Sequence, residues 1–159
     1  MELEIERKFL VKGEFKHLAT KAVHMAQGYL CSASGRTVRV RICDDKAYLT
    51  IKGPSKDGGL SRFEWETEIP AAEARALLEL CEPGAIDKTR WLVPAGDGIH
   101  TWEVDEFHAD NEGLVVAEIE LSSAEDDFGR PGWLGEEVTG DRRYYNSMLT
   151  HNPYKLWRK

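Results

Sequence analysis

The chain of 159 residues has no run of apolar residues near the ~18–20 that a membrane-spanning helix needs, so no such span is expected. Its first residues, MELEIERKFLVKGE, alternate charge with hydrophobe and lack the unbroken apolar core of a signal peptide. Cysteine is scarce. Cys31, Cys43 and Cys81 form an odd, scattered set without a C-x-x-C pair, so neither a disulfide framework nor a zinc knuckle is indicated and a cytoplasmic location is expected. A basic excess is missing as well: 28 acids stand against 21 bases, for a net charge of −7. That is the wrong sign for generic nucleic-acid binding. No G-x-x-x-x-G-K-[ST] loop occurs, and Gly53-Pro54-Ser55-Lys56-Asp57-Gly58-Gly59 is glycine-rich but wrongly spaced, reading as a hairpin loop. There is no H-E-x-x-H and no G-x-S-x-G elbow, and the five histidines are dispersed.

What is present is a charge-rich globular composition, 42% hydrophobic and 31% charged, at a length that suits one domain spanning 1–159. Several segments alternate with period two, the mark of a strand. Glu4, Glu6 and Lys8 oppose Leu3, Ile5 and Phe9, with Arg7 as the exception. Arg39 and Arg41 oppose Val38, Val40 and Ile42, while Tyr48, Thr50 and Lys52 oppose Ala47, Leu49 and Ile51. Arg62, Glu64, Glu66 and Glu68 oppose Phe63, Trp65, Thr67 and Ile69. Lys88 and Arg90 share a face, as do Glu103 and Asp105, and then Glu118 and Glu120. Turn signals such as Ser34-Gly35, Asp44-Asp45 and Asn111-Glu112-Gly113 separate these runs and suit antiparallel hairpins. Helical spacing is expected at Phe15–Val23, at Ala74–Cys81 between Pro70 and Pro83-Gly84, and over roughly 141–151. The chain therefore reads as mostly β with a few helices.

An ordinary solvated face would explain any one of these strands. A solvated face mixes its signs, however, and here the signs are sorted by strand: acid, base, base, acid, base, acid, acid. Closing such strands into a barrel with the charges inward would set carboxylates across a cavity from cations. The apolar outer faces would then be left for helices to cover. Charges inside a protein are costly unless they pair or hold ligands. Carboxylates two apart on one strand face resemble oxygen-only sites for hard cations such as Mg²⁺ or Mn²⁺. The arginines suit phosphate oxygens.

Glu4-x-Glu6-x-Lys8 resembles the ExExK signature of CYTH-domain proteins, the triphosphate tunnel metalloenzymes. The family's other motifs follow in order: Gln27-Gly28-Tyr29-Leu30, Val38-Arg39-Val40-Arg41, Thr50-Ile51-Lys52-Gly53, Arg62 through Glu66 and Lys88-Thr89-Arg90. Then come Trp102-Glu103-Val104-Asp105, Glu118-Ile119-Glu120, Trp133-Leu134-Gly135, Glu137-Val138-Thr139, and Asp141, Arg142 and Tyr144 with Asn146.

The resemblance implies a closed eight-stranded antiparallel barrel with a charged interior that binds triphosphate with one or two Mg²⁺ or Mn²⁺ ions. By similarity Glu4, Glu6, Glu118 and Glu120 would hold metal, with Glu64, Glu66 and Asp105 assisting. For Glu64, Glu66 and Glu103, pairing with neighbouring basic strands is the plainer alternative. Lys8, Arg39, Arg41, Lys52, Lys88 and Arg90 would grip the phosphates, with Arg62 as a weaker candidate. Glu4, Glu6 and Lys88 are the catalytic candidates, Lys88 by stabilising the leaving group, and Tyr29 is a possible auxiliary. Arg142 and Arg143 would cap the tunnel or sit on a helix surface. The implied reaction is metal-dependent hydrolysis of inorganic triphosphate, a small-molecule substrate. Kept beside it are an organic triphosphate (class IV adenylyl cyclase, thiamine, nucleoside or RNA triphosphatase) and a polyphosphate-binding module without turnover. Trp65, Trp91 and Trp102 fall on outer faces, which disfavours base stacking inside.

Overall fold

The computed structural model describes residues 2–157, Glu2 in its backbone alone, so Met1, Arg158 and Lys159 of the expected 1–159 domain lie outside the described residues. The alternating segments are strands: β1 (Glu2–Val11), β2 (Lys21–Cys31), β3 (Thr37–Cys43), β4 (Lys46–Lys56), β5 (Ser61–Ile69), β6 (Ile86–Pro94), β7 (Thr101–Phe107), β8 (Val115–Glu120) and β9 (Leu134–Glu137). They form one antiparallel sheet in the order β5-β4-β3-β2-β6-β7-β8-β1, and β1 pairs back onto β5. The sheet is thus a closed eight-stranded barrel with no free edge among those strands. Beyond its contact with β5, β1 continues against β9, where Phe9 lies opposite Glu137.

Because alternate side chains face inward, the outer faces carry the hydrophobic cores. Phe9, Val93, Trp102, Val104, Ala117 and Ile119 form one cluster, covered by Phe15, Leu121, Trp133 and Leu134. Its aromatic rings meet edge to face, with Trp102 centred 5.6 Å from Trp133 and 5.7 Å from Phe9. A smaller cluster joins Val40 and Ala47 to Ala74, with Leu77, Leu78 and Cys81 packed alongside. Ala74, Leu77 and Leu78 belong to α1 (Ala71–Leu78), which begins after Pro70 as its spacing predicts but ends before Cys81. The third cluster closes one end of the barrel. Ile86, Phe107 and Val116 lie on the same strand faces as Lys88, Asp105 and Glu118, and there they meet Tyr144 and Leu149 of the C-terminal segment.

The helix expected at Phe15–Val23 does not form. Lys16–Leu18 make a single 3-10 turn, and Lys21 onward is β2, hydrogen-bonded to β6 from Lys21↔Leu92 to Gln27↔Ile86. Closure of the barrel needs a strand between β3 and β6, and that long-range demand overrides the local helical spacing. His24 lies on β2, and its Nε2 pairs with Asp87 at 2.8 Å. The stretch 141–151 is only partly helical, with a 3-10 turn at Arg142–Tyr144 followed by the short α2 (Asn146–Leu149). No helix among the described residues is long and apolar enough to cross a membrane.

Candidate active site

The barrel encloses a cavity of about 200 Å³, its surface almost wholly polar. Glu4, Glu6, Lys8, Tyr29, Arg39, Arg41, Lys52, Arg62, Glu64, Glu66, Lys88, Arg90, Glu118 and Glu120, all expected from sequence, line it, and Glu103 joins them. Strand order sorts these charges in space. β7, β8, β1 and β5 are consecutive around the barrel and bring Glu103, Glu118, Glu120, Glu4, Glu6, Glu64 and Glu66 into one acidic wall. β4, β3 and β6 supply Lys52, Arg39, Arg41, Lys88 and Arg90 opposite, with the uncharged Gln27 and Tyr29 of β2 between. Lys8 and Arg62 are the cations on the acidic side. Both approach the ring of Tyr145, at 5.1 and 5.5 Å from its centroid.

Asp105 differs from the other carboxylates: it is buried outside the cavity lining, with its oxygens already engaged. Oδ2 accepts from Lys88 Nζ at 2.7 Å and from Arg90 at 3.0 Å, while Oδ1 accepts from Arg90 Nε at 2.8 Å. Burial opposes its charge, yet Arg90 and Lys88 hold its carboxyl down at about 2. Cation pairing, the alternative considered for its neighbours, is the role this geometry gives Asp105. Glu103 lies 3.3 Å from Arg90, Glu66 3.6 Å from Arg39, and Glu64 3.4 Å from Lys52, whose Nζ also donates to Glu4 at 2.9 Å. Arg62 sits 3.9 Å from Glu4.

Two carboxyl pairs lie close enough to influence each other's charge, Glu6 with Glu118 and Glu4 with Glu64. Burial, then the neighbouring charges of Glu118 and Glu4, push Glu6 well above the usual carboxylate range. Burial also opposes the charge of Glu118, but Lys8, the neighbouring Glu6 carboxyl and the charge of Arg90 hold it well below. Buried like charges in contact are what a hard cation relieves. Among the described residues no three His, Cys, Asp or Glu side chains converge into a ready cage. The donor set is oxygen-only, which fits a hard cation whose remaining ligands are water and ligand oxygens.

The basic wall is set for an anion. Burial, with Arg39 and Arg90 nearby, lowers Arg41 to about 10. Burial lowers Lys88 to about 7 against the pull of Asp105. The buried Nε of Arg39 has no hydrogen-bond partner, and an unsatisfied buried donor costs about 1–3 kcal/mol until an acceptor meets it.

Sequence reasoning assigned no role to Thr50, Gln27, Asn146 or Ser147. Thr50 accepts from Arg39 at 3.1 Å and donates to Glu66 at 2.6 Å. Thr50 and Gln27 fall on the inward parity of their strands and were recoverable from it. Asn146 and Ser147 reach the cavity from the C-terminal segment, which no local period reports. Arg142 lines a second cavity of about 310 Å³ beside the first, whereas Arg143 is exposed and paired with Asp141 at 2.7 Å. Trp102 is buried and Trp91 half-buried in the outer core, and Trp65 is 44% exposed, so none of the three faces the bore.

An antiparallel barrel closed on a bore with opposed acidic and basic walls is a charged tunnel rather than a packed barrel. The chain belongs to the CYTH domain family, whose profile matches residues 2–151, within the triphosphate tunnel metalloenzymes. It is 49% identical over 160 residues to an inorganic triphosphatase of Acetivibrio thermocellus, covering all of both chains. It is 37% identical over 149 residues to an inorganic triphosphatase of Nitrosomonas europaea, covering 92% of this chain and 95% of that one. The solved structure of the inorganic triphosphatase NE1496 matches with a TM-score of 0.63 at 33% identity, over 92% of this chain and 97% of that one. A putative adenylyl cyclase from Hippeastrum with a dominant triphosphatase activity shares the fold, with a TM-score of 0.61 at 16% identity, over 77% of this chain and 81% of that one.

Proposed function

We propose that this chain is a metal-dependent hydrolase that converts inorganic triphosphate to pyrophosphate and phosphate inside the tunnel. One observation carries the reading most directly: a buried basic wall, with Arg41 free of any carboxylate within 4 Å among the described residues and Arg39 Nε unpaired, faces a carboxylate wall across a small polar cavity. At about 200 Å³ the cavity is below the roughly 300–1,000 Å³ of drug-sized pockets, which suits a compact polyanion.

Arg39, Arg41, Lys52, Lys8 and Lys88 bind the phosphate oxygens, and Arg90, braced by Asp105, completes the wall. Arg62 supports it from the side of Tyr145. Glu4, Glu6, Glu118 and Glu120 would hold Mg²⁺ or Mn²⁺, with Glu64 and Glu66 nearby. When bound, such an ion neutralises phosphate charge and orients the attacked group. Water attacks the terminal phosphorus, the bridging P–O bond breaks, and pyrophosphate leaves. Glu4 or Glu6 takes the water's proton. Lys88, drawn to about 7 by burial, regains its full charge beside the polyanion and stabilises the leaving oxygen. Tyr29, buried at the same wall, shapes that end of the bore.

A second reading, an organic triphosphate, draws on the adjoining cavity of about 310 Å³. It shares Thr37, Arg62 and Ser147 with the tunnel and offers Pro54, Tyr145 and Met148 as apolar surface. The free thiols of Cys31, Cys43 and Cys81 support a reducing, cytoplasmic setting, and the net charge of −7 supports a small molecule over nucleic acid as ligand. We read 1–159 as one domain. The test is phosphate release from tripolyphosphate and from ATP with Mg²⁺, Mn²⁺ or EDTA. Metal-dependent turnover of tripolyphosphate well above ATP is expected. ATP turnover at equal or higher rate would transfer the assignment to the second reading, and no turnover of tripolyphosphate would overturn the first.

A further inference from the structure

We infer that Gln27 and Asn146 are positioning residues, a pair of neutral amides that bridges Arg41 and Lys88 and aims both cations into the bore without neutralising either. The inference rests on the triphosphate reading of the tunnel and adds residues to it.

β2 lies between β3, which carries Arg41, and β6, which carries Lys88, and its own inward residues are uncharged. Gln27 is fully buried there. Its Oε1 accepts from Arg41 Nε at 2.7 Å, and its Nε2 donates to Asn146 Oδ1 at 3.2 Å. The same Oδ1 accepts from Lys88 Nζ at 2.9 Å. These partners fix both amide orientations, because a flipped amide would turn NH₂ groups toward a guanidinium and an ammonium.

The choice of amide matters electrostatically. A carbonyl oxygen satisfies a buried donor while leaving the net positive charge for a ligand. A carboxylate at the same place would cancel it: Asp105 already pairs with Arg90 and with Lys88 from the opposite side, and a second carboxylate there would leave no net positive charge on that half of the wall. Arg41 accordingly has an amide partner and, among the described residues, no carboxylate within 4 Å. Asn146 opens α2, in the segment that closes the barrel end through Tyr144 and Leu149. Docking of that segment and alignment of Lys88 are thereby one event: the cap contributes a side chain to the basic wall.

The variants Asn146→Asp, Gln27→Glu and Asn146→Ala separate charge from packing, since the first two keep shape and add a carboxylate. Tripolyphosphate binding by calorimetry without metal is measured beside turnover with Mg²⁺. Each acidic variant is expected to weaken binding at least tenfold and to flatten its salt dependence. Asn146→Ala is expected to keep Kd within about threefold and lose at least tenfold in kcat, because Lys88 keeps its charge and loses its aim. A purely structural role would lower Tm in all three and leave Kd and the kcat-to-KM split alone, and that result would overturn the inference. So would wild-type affinity in Asn146→Asp. Turnover and binding fail separately: a wild type that binds tripolyphosphate without hydrolysing it sinks the triphosphatase reading, and the affinity contrast still decides the role of the amides.

Discussion

Lys88 Nζ lies 2.7 Å from Asp105 Oδ2, and each side chain is 1% exposed. This buried pair, extended to Arg90 by two further hydrogen bonds, fixes one half of the basic wall. Removing one partner of a buried ion pair costs about 3–5 kcal/mol, because the other charge is left unpaired in a poor solvent. Asp105→Ala is expected to lose that much in urea denaturation. A variant of wild-type stability with weakened metal binding would instead make Asp105 a ligand.

Arg41 donates to an amide and has its charge available, so its loss should be read in affinity. A charge-assisted hydrogen bond is worth about 1.5–3 kcal/mol, or roughly tenfold to a hundredfold in Kd. Arg41→Ala is expected to weaken tripolyphosphate binding by that factor in calorimetry with little change in Tm. Arg41→Lys should recover only part, since an ammonium lacks the planar fork. Unchanged affinity in Arg41→Ala would remove Arg41 from the phosphate site.

The Glu6–Glu118 contact ties metal to stability. Glu6 has its folded pKa raised above the unfolded value, by burial first and by Glu118 next. Its protonated form therefore stabilises the fold at low pH, and that contribution is lost as pH rises through the folded pKa. Glu6→Gln cannot ionise, so at pH 8 without metal its Tm is expected to exceed the wild type's. The gain in Tm that Mg²⁺ gives the wild type should vanish in the variant, and turnover should fall about 10²–10³-fold, as for loss of one electrostatic stabiliser. A full Mg²⁺ response in Glu6→Gln would refute the assignment.

Far from the tunnel, His100 clasps two loops. Its Nδ1 lies 2.6 Å from Asp97 and its Nε2 3.0 Å from Asp126. The hydrogen bonds to Asp97 and then Asp126 raise the imidazole's pKa, while hydrogen bonds from His100 and Ile99 hold Asp97 low. The imidazole's share of stability is complete below about 6.5, the unfolded value, and fades as pH climbs through the raised folded one. The carboxylates' share is present above about 3.9 and is lost as pH falls through their lowered values. The Tm gap between wild type and His100→Gln should be widest near pH 5–6 and narrow by pH 9. A gap constant across that span would mean that packing, not charge, holds the loops.

Gly140 and Gly59 bring two backbones into contact beneath the C-terminal segment. Both have left-handed φ, +81° and +94°, and a Cβ on Gly140 would collide with the Gly58 carbonyl oxygen. Gly140→Ala is expected to displace the segment that carries Tyr145 and Asn146, lowering kcat more than Tm. Wild-type kinetics in that variant would show that the segment docks independently of this contact.

The strand faces, the α1 stripe and the inward charges were legible in the amino-acid order, because side chains along a strand alternate with period two whatever the strand's neighbours are. The run of CYTH motifs added closure and triphosphate chemistry by likeness. The helix expected at Phe15–Val23 failed because local spacing cannot report that β2 must fill the gap between β3 and β6. Along the chain acidic and basic strands are interspersed, and only pairing of β1 with both β8 and β5 gathers the carboxylates of β7, β8, β1 and β5 into one wall. Asp105, alike in sequence to its acidic neighbours, was diverted to Lys88 and Arg90 by its place between them. Asn146 was brought to Lys88 across 58 positions of sequence. Residue type and period determined which side chains could enter the tunnel; contacts between distant segments decided which of them meet, since pairing across a barrel is set by closure and not by adjacency along the chain.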